Sequence, residues 1–126
     1  MTDQEFVEAF ERCAIAGDSF HHRDHVRLAW VYLRDMPLLD SLKRFTESLK
    51  RFAAHNGVPN LYHETITWAY LLALNERLER KGRQRSWAEF ARDHGELFAP
   101  DFLHAYYAPA TLASPLAKRV FVFPDA

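Results

Sequence analysis

His21, His22 and His25 put three of the chain's seven histidines into five residues, at the head of an apolar helical pattern, SFHHRDHVRLAW, Ser19 to Trp30. Side chains three or four residues apart on a helix share a face, so His22 and His25 are spaced to hold one divalent metal ion or one small polar group. His22 leads into the apolar row Val26, Ala29 and Leu33 and faces inward, which leaves His21 nearer solvent. A second cluster, YHETIT, opens a later helix, where Tyr62, His63, Glu64 and Thr67 flank apolar surface. A carboxylate there needs a histidine, an arginine or a metal beside it, because an unpaired buried charge is costly enough to force protonation.

These two clusters predict one polar site between the starts of helices two and four. Glu64 and His63 are the candidate acid–base residues, and His22, His25, His63 and Glu64 are the candidate ligands of one divalent metal ion. Tyr62, Thr67 and Tyr107 are placed to orient a bound small molecule. Spacing excludes several better-known metal patterns. His63-Glu64 begins like a zinc-protease motif, but Thr67 stands where the second histidine belongs. A diiron carboxylate site needs a Glu-x-x-His pair on each of two helices, and Glu64 alone is placed inward. In Asp24-His25 the His-Asp order of metal-dependent phosphohydrolases is reversed. A mononuclear site, or a metal-free pocket of hydrogen-bonded His and Glu, is what these exclusions leave. His55, His94 and His104 each stand alone and read as structural; His55 and His94 sit at helix ends, where a partly positive imidazole suits the helix dipole. The rival reading is an interaction module, in which the His/Glu cluster is a buried strut and the aromatic surface meets a partner or a second copy in a homodimer.

Helices must position these residues, and the composition suits them. At 126 residues the chain is expected to form one domain with a sizeable core. Sixteen Lys and Arg against 17 Asp and Glu give a net charge of −1, which creates no field to draw in nucleic acid or an anionic membrane surface. One cysteine, Cys13, cannot form an internal disulfide, and no apolar run is long enough to span a membrane, so a cytoplasmic location is expected. Ten Phe, five Tyr and three Trp exceed what a minimal helical bundle needs for packing and point to a pocket lining or a subunit interface.

Thr2 and Glu5 have capping-box spacing, and Phe6, Ala9, Phe10 and Cys13 repeat on one face, so a first helix is predicted over about residues 3–16, stopped by Gly17. Asp18 or Ser19 is the expected cap of helix two, which ends before Met36-Pro37. Leu38, Leu42, Phe45, Leu49 and Phe52, spaced four, three, four and three, form the seam of helix three, closed by Asn56-Gly57. Helix four is predicted over about residues 61–81, and its middle, ITWAYLLAL, is apolar all round, as a central helix should be. The stretch NERLERKGRQR, Asn75 to Arg85, reads as a solvated helix end and turn. Ser86 and Glu89 cap a short fifth helix ending at His94-Gly95, and Pro100-Asp101 opens another through Tyr106 and Tyr107. The tail FVFPDA has no partner strand and reads as an extended arm packed on the bundle. The fold class predicted is an all-α, single-domain bundle of five or six helices with that C-terminal arm.

The patterns F-x-H-x-D-H-V-x-x-A-W at Phe20 to Trp30, Y-H-E-T-I-T at Tyr62 to Thr67, and the tail positions Ser114, Ala117, Lys118, Phe121, Pro124 and Asp125 resemble an uncharacterised family of small all-helical bacterial proteins. The resemblance spans nearly the whole chain and implies that His22, Asp24, His25, His63, Glu64 and Thr67 form one unit. It adds Lys118 to the candidate ligand-binding residues, at a position where the family carries arginine; lysine keeps the charge but not the bidentate fork. Ala108 likewise stands where the family often has serine.

Overall fold

Local capping sets most of the element boundaries. Glu5 accepts the Thr2 N–H at 2.9 Å while Thr2 Oγ1 accepts the Glu5 N–H at 3.1 Å, which starts α1, Asp3–Glu11. The same reciprocal pair between Ser86 and Glu89 starts α5, Trp87–Asp93. In the computed structural model residues 1–83 and 85–125 are described; Gln84, inside the basic stretch, and Ala126, the last residue of the tail, lie outside the described residues. Among the described residues the chain is all helical, with no strand. The other α-helices are α2, His22–Asp35; α3, Leu38–His55; α4, Glu64–Lys81; α6, Pro109–Leu112; and α7, Pro115–Arg119. Short 3₁₀ turns occupy Gly17–Ser19, Pro59–Leu61, Gly95–Phe98 and Phe102–Ala105. Seven α-helices exceed the five or six predicted because α6 and α7 are short pieces, each opened by a proline at its first turn.

Several boundaries depart from the sequence pattern. α1 stops at Glu11, short of residue 16, because Cys13 takes the left-handed conformation at φ 57°. The Cys13 N–H reaches the Phe10 carbonyl at 2.9 Å and the Ala14 N–H reaches Ala9 at 2.8 Å, a Schellman close that normally uses glycine. Gly17 is no helix stop; a Cβ there would lie 2.5 Å from Asn56 Oδ1, so its role is to let Asn56 approach. α2 begins at His22, with the Asp24 carboxylate, not Asp18 or Ser19, accepting the His21 N–H at 2.9 Å. Gly57, at φ 73°, does close α3 as predicted. Between Pro100-Asp101 and Tyr107 the chain forms only the 3₁₀ turn Phe102–Ala105.

The centre of the core is α2, not α4. Val26, Leu28, Ala29, Trp30, Val31, Tyr32 and Leu33 are all buried, and α2 lies against α1, α3, α4 and the turn Gly95–Phe98. α4 buries one stripe, Thr65, Thr67, Leu71, Leu74 and Leu78, and exposes Leu72. Buried polar groups tie the first three helices. The Tyr32 hydroxyl donates to Glu11 at 2.6 Å beside Ser48 Oγ, and Arg44 grips the same carboxylate through Nε at 2.6 Å and Nη2 at 2.8 Å. The basic stretch is spent on neighbouring carboxylates: Arg77 meets Glu96, Arg80 meets Glu76, Arg83 meets Glu79 and Arg85 meets Asp93.

The C-terminal segment is clasped to the start of α4. Thr65, fully buried, donates its hydroxyl to the Val120 carbonyl at 2.9 Å and accepts the Val122 N–H at 3.1 Å. Phe121 stacks on Trp68 with ring centroids 5.3 Å apart, whereas Phe123 is 84% exposed and meets Phe121 edge-on at 6.1 Å, so Phe121 is the tail phenylalanine seated on the helices. Asp125 holds the other end, accepting the Ala108 N–H at 2.7 Å and the Thr111 hydroxyl at 3.0 Å. Thr65→Val keeps the side-chain shape but removes both hydrogen bonds from a fully buried position to the part-buried Val120 carbonyl and Val122 N–H, and should cost about 1–3 kcal/mol of stability. Urea denaturation of the variant checks this; an unchanged midpoint would show that the segment does not depend on the clasp.

Candidate functional site

A cavity of about 720 Å³ opens between the first turns of α2 and α4 and the second half of α3. Its apolar lining follows from the periodicities above. Val26 sits one turn after His22 on α2, Phe45, Leu49 and Phe52 are the α3 seam, and Ile66 and Tyr70 repeat from His63 on α4. Phe20 and Phe52 also belong to a three-ring cluster with Phe10, with centroids 4.5 to 5.0 Å apart, which fixes the floor by aromatic contacts. The mouth is ringed by exposed Gly17, Asp18, Asn56, Val58 and Leu61.

The two histidine clusters share this cavity but contribute unequally. His63 spends both ring nitrogens on the fold. Nδ1 accepts the Ile66 N–H at 3.1 Å, as the cap of α4, and Nε2–H donates to the Leu112 carbonyl at 2.7 Å. Thr67 lines the cavity with its hydroxyl donated to the His63 carbonyl at 2.7 Å. Tyr62 lines it too, but its hydroxyl donates to Glu64 Oε1 at 2.5 Å; burial first, and then this carboxylate, push its ionisation above the ordinary range. Glu64 itself stands behind Tyr62 and does not line the cavity.

On α2, His22 donates Nε2–H to the Leu97 carbonyl at 3.0 Å and sets its ring edge-on to Tyr70. His25 differs from both. Its ring lies 4.4 Å from Phe20, and among the described residues no protein group bonds its nitrogens. Burial, and then the neighbouring His22, lower its pKa from 6.5 to about 4, so His25 is a neutral imidazole on an apolar wall. Tyr70, whose hydroxyl also has no partner among the described residues, is shifted upward by burial.

The remaining predicted site residues lie elsewhere. Tyr107 is buried and donates its hydroxyl to the Val122 carbonyl at 2.8 Å, and Lys118 is exposed on α7; neither lines the cavity. Among the described residues no group of three or more His, Cys, Asp or Glu side chains is placed to share an ion, and protein groups take up both His63 ring nitrogens. The pattern reading passed over Phe45, Leu49, Phe52 and Asn56 as cavity residues. Their signal was the α3 seam itself, read only as core. Among the described residues no helix is long and apolar enough to cross a membrane. Compared with family models, curated proteins and solved structures, the chain finds no match.

The His25 shift carries a pH signature. Its folded pKa lies below the unfolded value, so the unfolded chain takes up the proton first. The associated stability is fully present above pH 6.5, is lost as pH falls toward about 4, and amounts to roughly 3 kcal/mol over that window. Carboxylates contribute little above pH 5, so denaturation between pH 7 and 5 should show the histidine slope, and His25→Leu should flatten it. A ring-proton NMR titration of His25 centred near 6.5 would contradict the burial argument.

Proposed function

We propose that this chain binds a small molecule in the cavity between α2, α3 and α4. One observation carries the reading: a cavity within the size range of small-molecule sites, walled by aromatic and aliphatic side chains, with His25 as an uncommitted polar group on its wall. The His63–Glu64 pair, the candidate acid–base residues, supports the fold in this reading, since the protein's own groups take up both His63 nitrogens and a Glu64 oxygen. The strut reading therefore suits YHETIT, while the binding reading suits the His22 and His25 side of the same cavity.

An uncharged environment-sensitive dye, N-phenyl-1-naphthylamine, tests the binding reading directly. Its emission should rise and shift to the blue on mixing with the protein. Ala53 lines the cavity from the last turn of α3, so Ala53→Phe should fill the space, leave the helical circular dichroism unchanged and weaken the dye at least tenfold. Dye binding that survives this substitution would place the dye elsewhere and remove the support for a cavity ligand.

Glu64→Gln separates the two roles. Because Gln keeps an acceptor for Tyr62 and Glu64 lies outside the lining, the variant should retain dye affinity within about twofold and lose no more than about 1 kcal/mol of stability. Loss of dye binding in a variant that melts normally would return Glu64 to the site.

A further inference from the structure

The polar inventory of the cavity narrows the ligand. Among the described residues every polar side chain on the lining except three is committed at least in part: His63 at both nitrogens, Thr67 to the His63 carbonyl, Tyr62 to Glu64, Asn56 to the Phe52 carbonyl through Nδ2 at 2.8 Å, and His22 to Leu97. The three without a protein partner among the described residues are His25, Tyr70 and Asp18. Asp18 is the one ionisable carboxylate on the lining, and it lies exposed at the mouth. No lysine or arginine lines the cavity; Lys50 Nζ sits 5.1 Å from the Tyr62 ring centroid but is not part of the lining.

An ion entering this space would leave water and find no opposite charge inside, which is strongly unfavourable. A carboxylate finds no guanidinium or ammonium, and burial resists the one response available, protonation of His25. An ammonium finds aromatic faces but no buried anion. A hydroxyl fits in either sense: the neutral imidazole offers one N–H and one lone pair, and an alcohol satisfies whichever nitrogen faces it. Phe20, Phe45, Phe52, Tyr62 and Tyr70 on the cavity lining favour a ring over a flexible chain, because ring edges and faces interlock at little cost in rotamer freedom.

Resting on the reading of the cavity as a binding site, we infer that its ligand is an uncharged aromatic molecule with a hydrocarbon body and a single hydroxyl, docked with that hydroxyl on His25. His22 and Tyr70, edge to face with centroids 4.9 Å apart, wall the same side. The polar end of the ligand is thus held by α2, and its body lies against the α3 seam.

Four isosteres competing with N-phenyl-1-naphthylamine at pH 7 test the class: 4-butylbenzyl alcohol, 4-butylbenzoate, 4-butylbenzylammonium and 4-butyltoluene. The alcohol should displace the dye with at least tenfold lower Kd than the benzoate or the benzylammonium. In His25→Leu the ratio of alcohol to toluene affinity should fall roughly tenfold relative to the native protein, since that ratio isolates the hydroxyl's hydrogen bond. A benzoate or benzylammonium that matches the alcohol overturns the uncharged class, and an unchanged ratio in a folded His25→Leu overturns the His25 anchor. The first comparison needs no variant and stands even if His25→Leu misfolds. Dye that binds yet yields to none of the four overturns the ligand class while leaving the cavity reading intact; dye that does not bind the native protein at all overturns the cavity reading itself.

Discussion

The imidazole of His63 joins the start of one helix to a segment 49 residues away, and the α4 wall and the reception of the C-terminal segment depend on that pair of hydrogen bonds. The first N–H groups of α4 need acceptors from outside the helix, and Nδ1 of His63 supplies one to Ile66. A ring nitrogen that accepts cannot carry the proton, so the proton sits on Nε2, and Nε2 then requires an acceptor of its own. The Leu112 carbonyl provides it. Capping thus fixes the tautomer, and the tautomer fixes where the C-terminal segment is received. Two residues on, Thr65 repeats the arrangement with a hydroxyl, and two further on Thr67 returns its hydroxyl to the His63 carbonyl. In YHETIT, residues 63, 65 and 67 each bind backbone, which gives the α4 wall of the cavity a rigid frame.

The first turn of α2 is built on a different economy. There His21 is the N-cap and the Asp24 carboxylate accepts its N–H, which leaves His22 and His25 out of the cap. His22 reaches the Leu97 carbonyl with one nitrogen, and His25, one turn along, lies tilted against Phe20, itself part of the aromatic cluster with Phe10 and Phe52. Burial without a hydrogen bond is what depresses the His25 pKa and keeps the imidazole neutral. Two clusters of the same residue types therefore end in opposite conditions: one saturated by the backbone, the other presenting an uncommitted ring to a cavity.

What was legible in the sequence was what is decided locally. The Thr2 and Ser86 capping boxes, the α3 seam and its Gly57 close depend on residues within a turn or two of one another, and each stands where spacing put it. The end of α1 was not legible, because Cys13 holds a conformation disfavoured for a side chain while Glu11, just before it, is pulled down by Tyr32 and Arg44 from other helices. Nor was the centrality of α2. Hydropathy favours ITWAYLLAL, but burial depends on an element's neighbours: α2 meets α1, α3, α4 and the turn Gly95–Phe98 and buries seven residues, whereas α4 buries one stripe of five. For the site, the spacing of His22 and His25 put them on one helix face, and both line the cavity. The roles of His63, Tyr107 and Glu64 turned instead on partners at Leu112, Val122 and Tyr62, two of them brought close only by the path of the tail, and no motif records those.

The cavity is not a by-product of loose packing. Around it, Phe10, Leu28, Leu33, Leu71 and Leu74 are fully buried, so the same helices meet tightly elsewhere. The space exists because small side chains face it: Ala53 on α3, Thr67 on α4, and Gly17 at the rim, where any Cβ would push Asn56 away. Walls that face one another across such a volume give up the dispersion contacts a filled core would make, which weakens a fold whose margin is of the order of 5–15 kcal/mol. A molecule seated there restores those contacts and binds only the folded state, so occupancy adds to stability by RT ln(1 + [L]/Kd). The cavity that makes the apo fold less stable than it need be is, for that reason, the place where a ligand has the most to contribute.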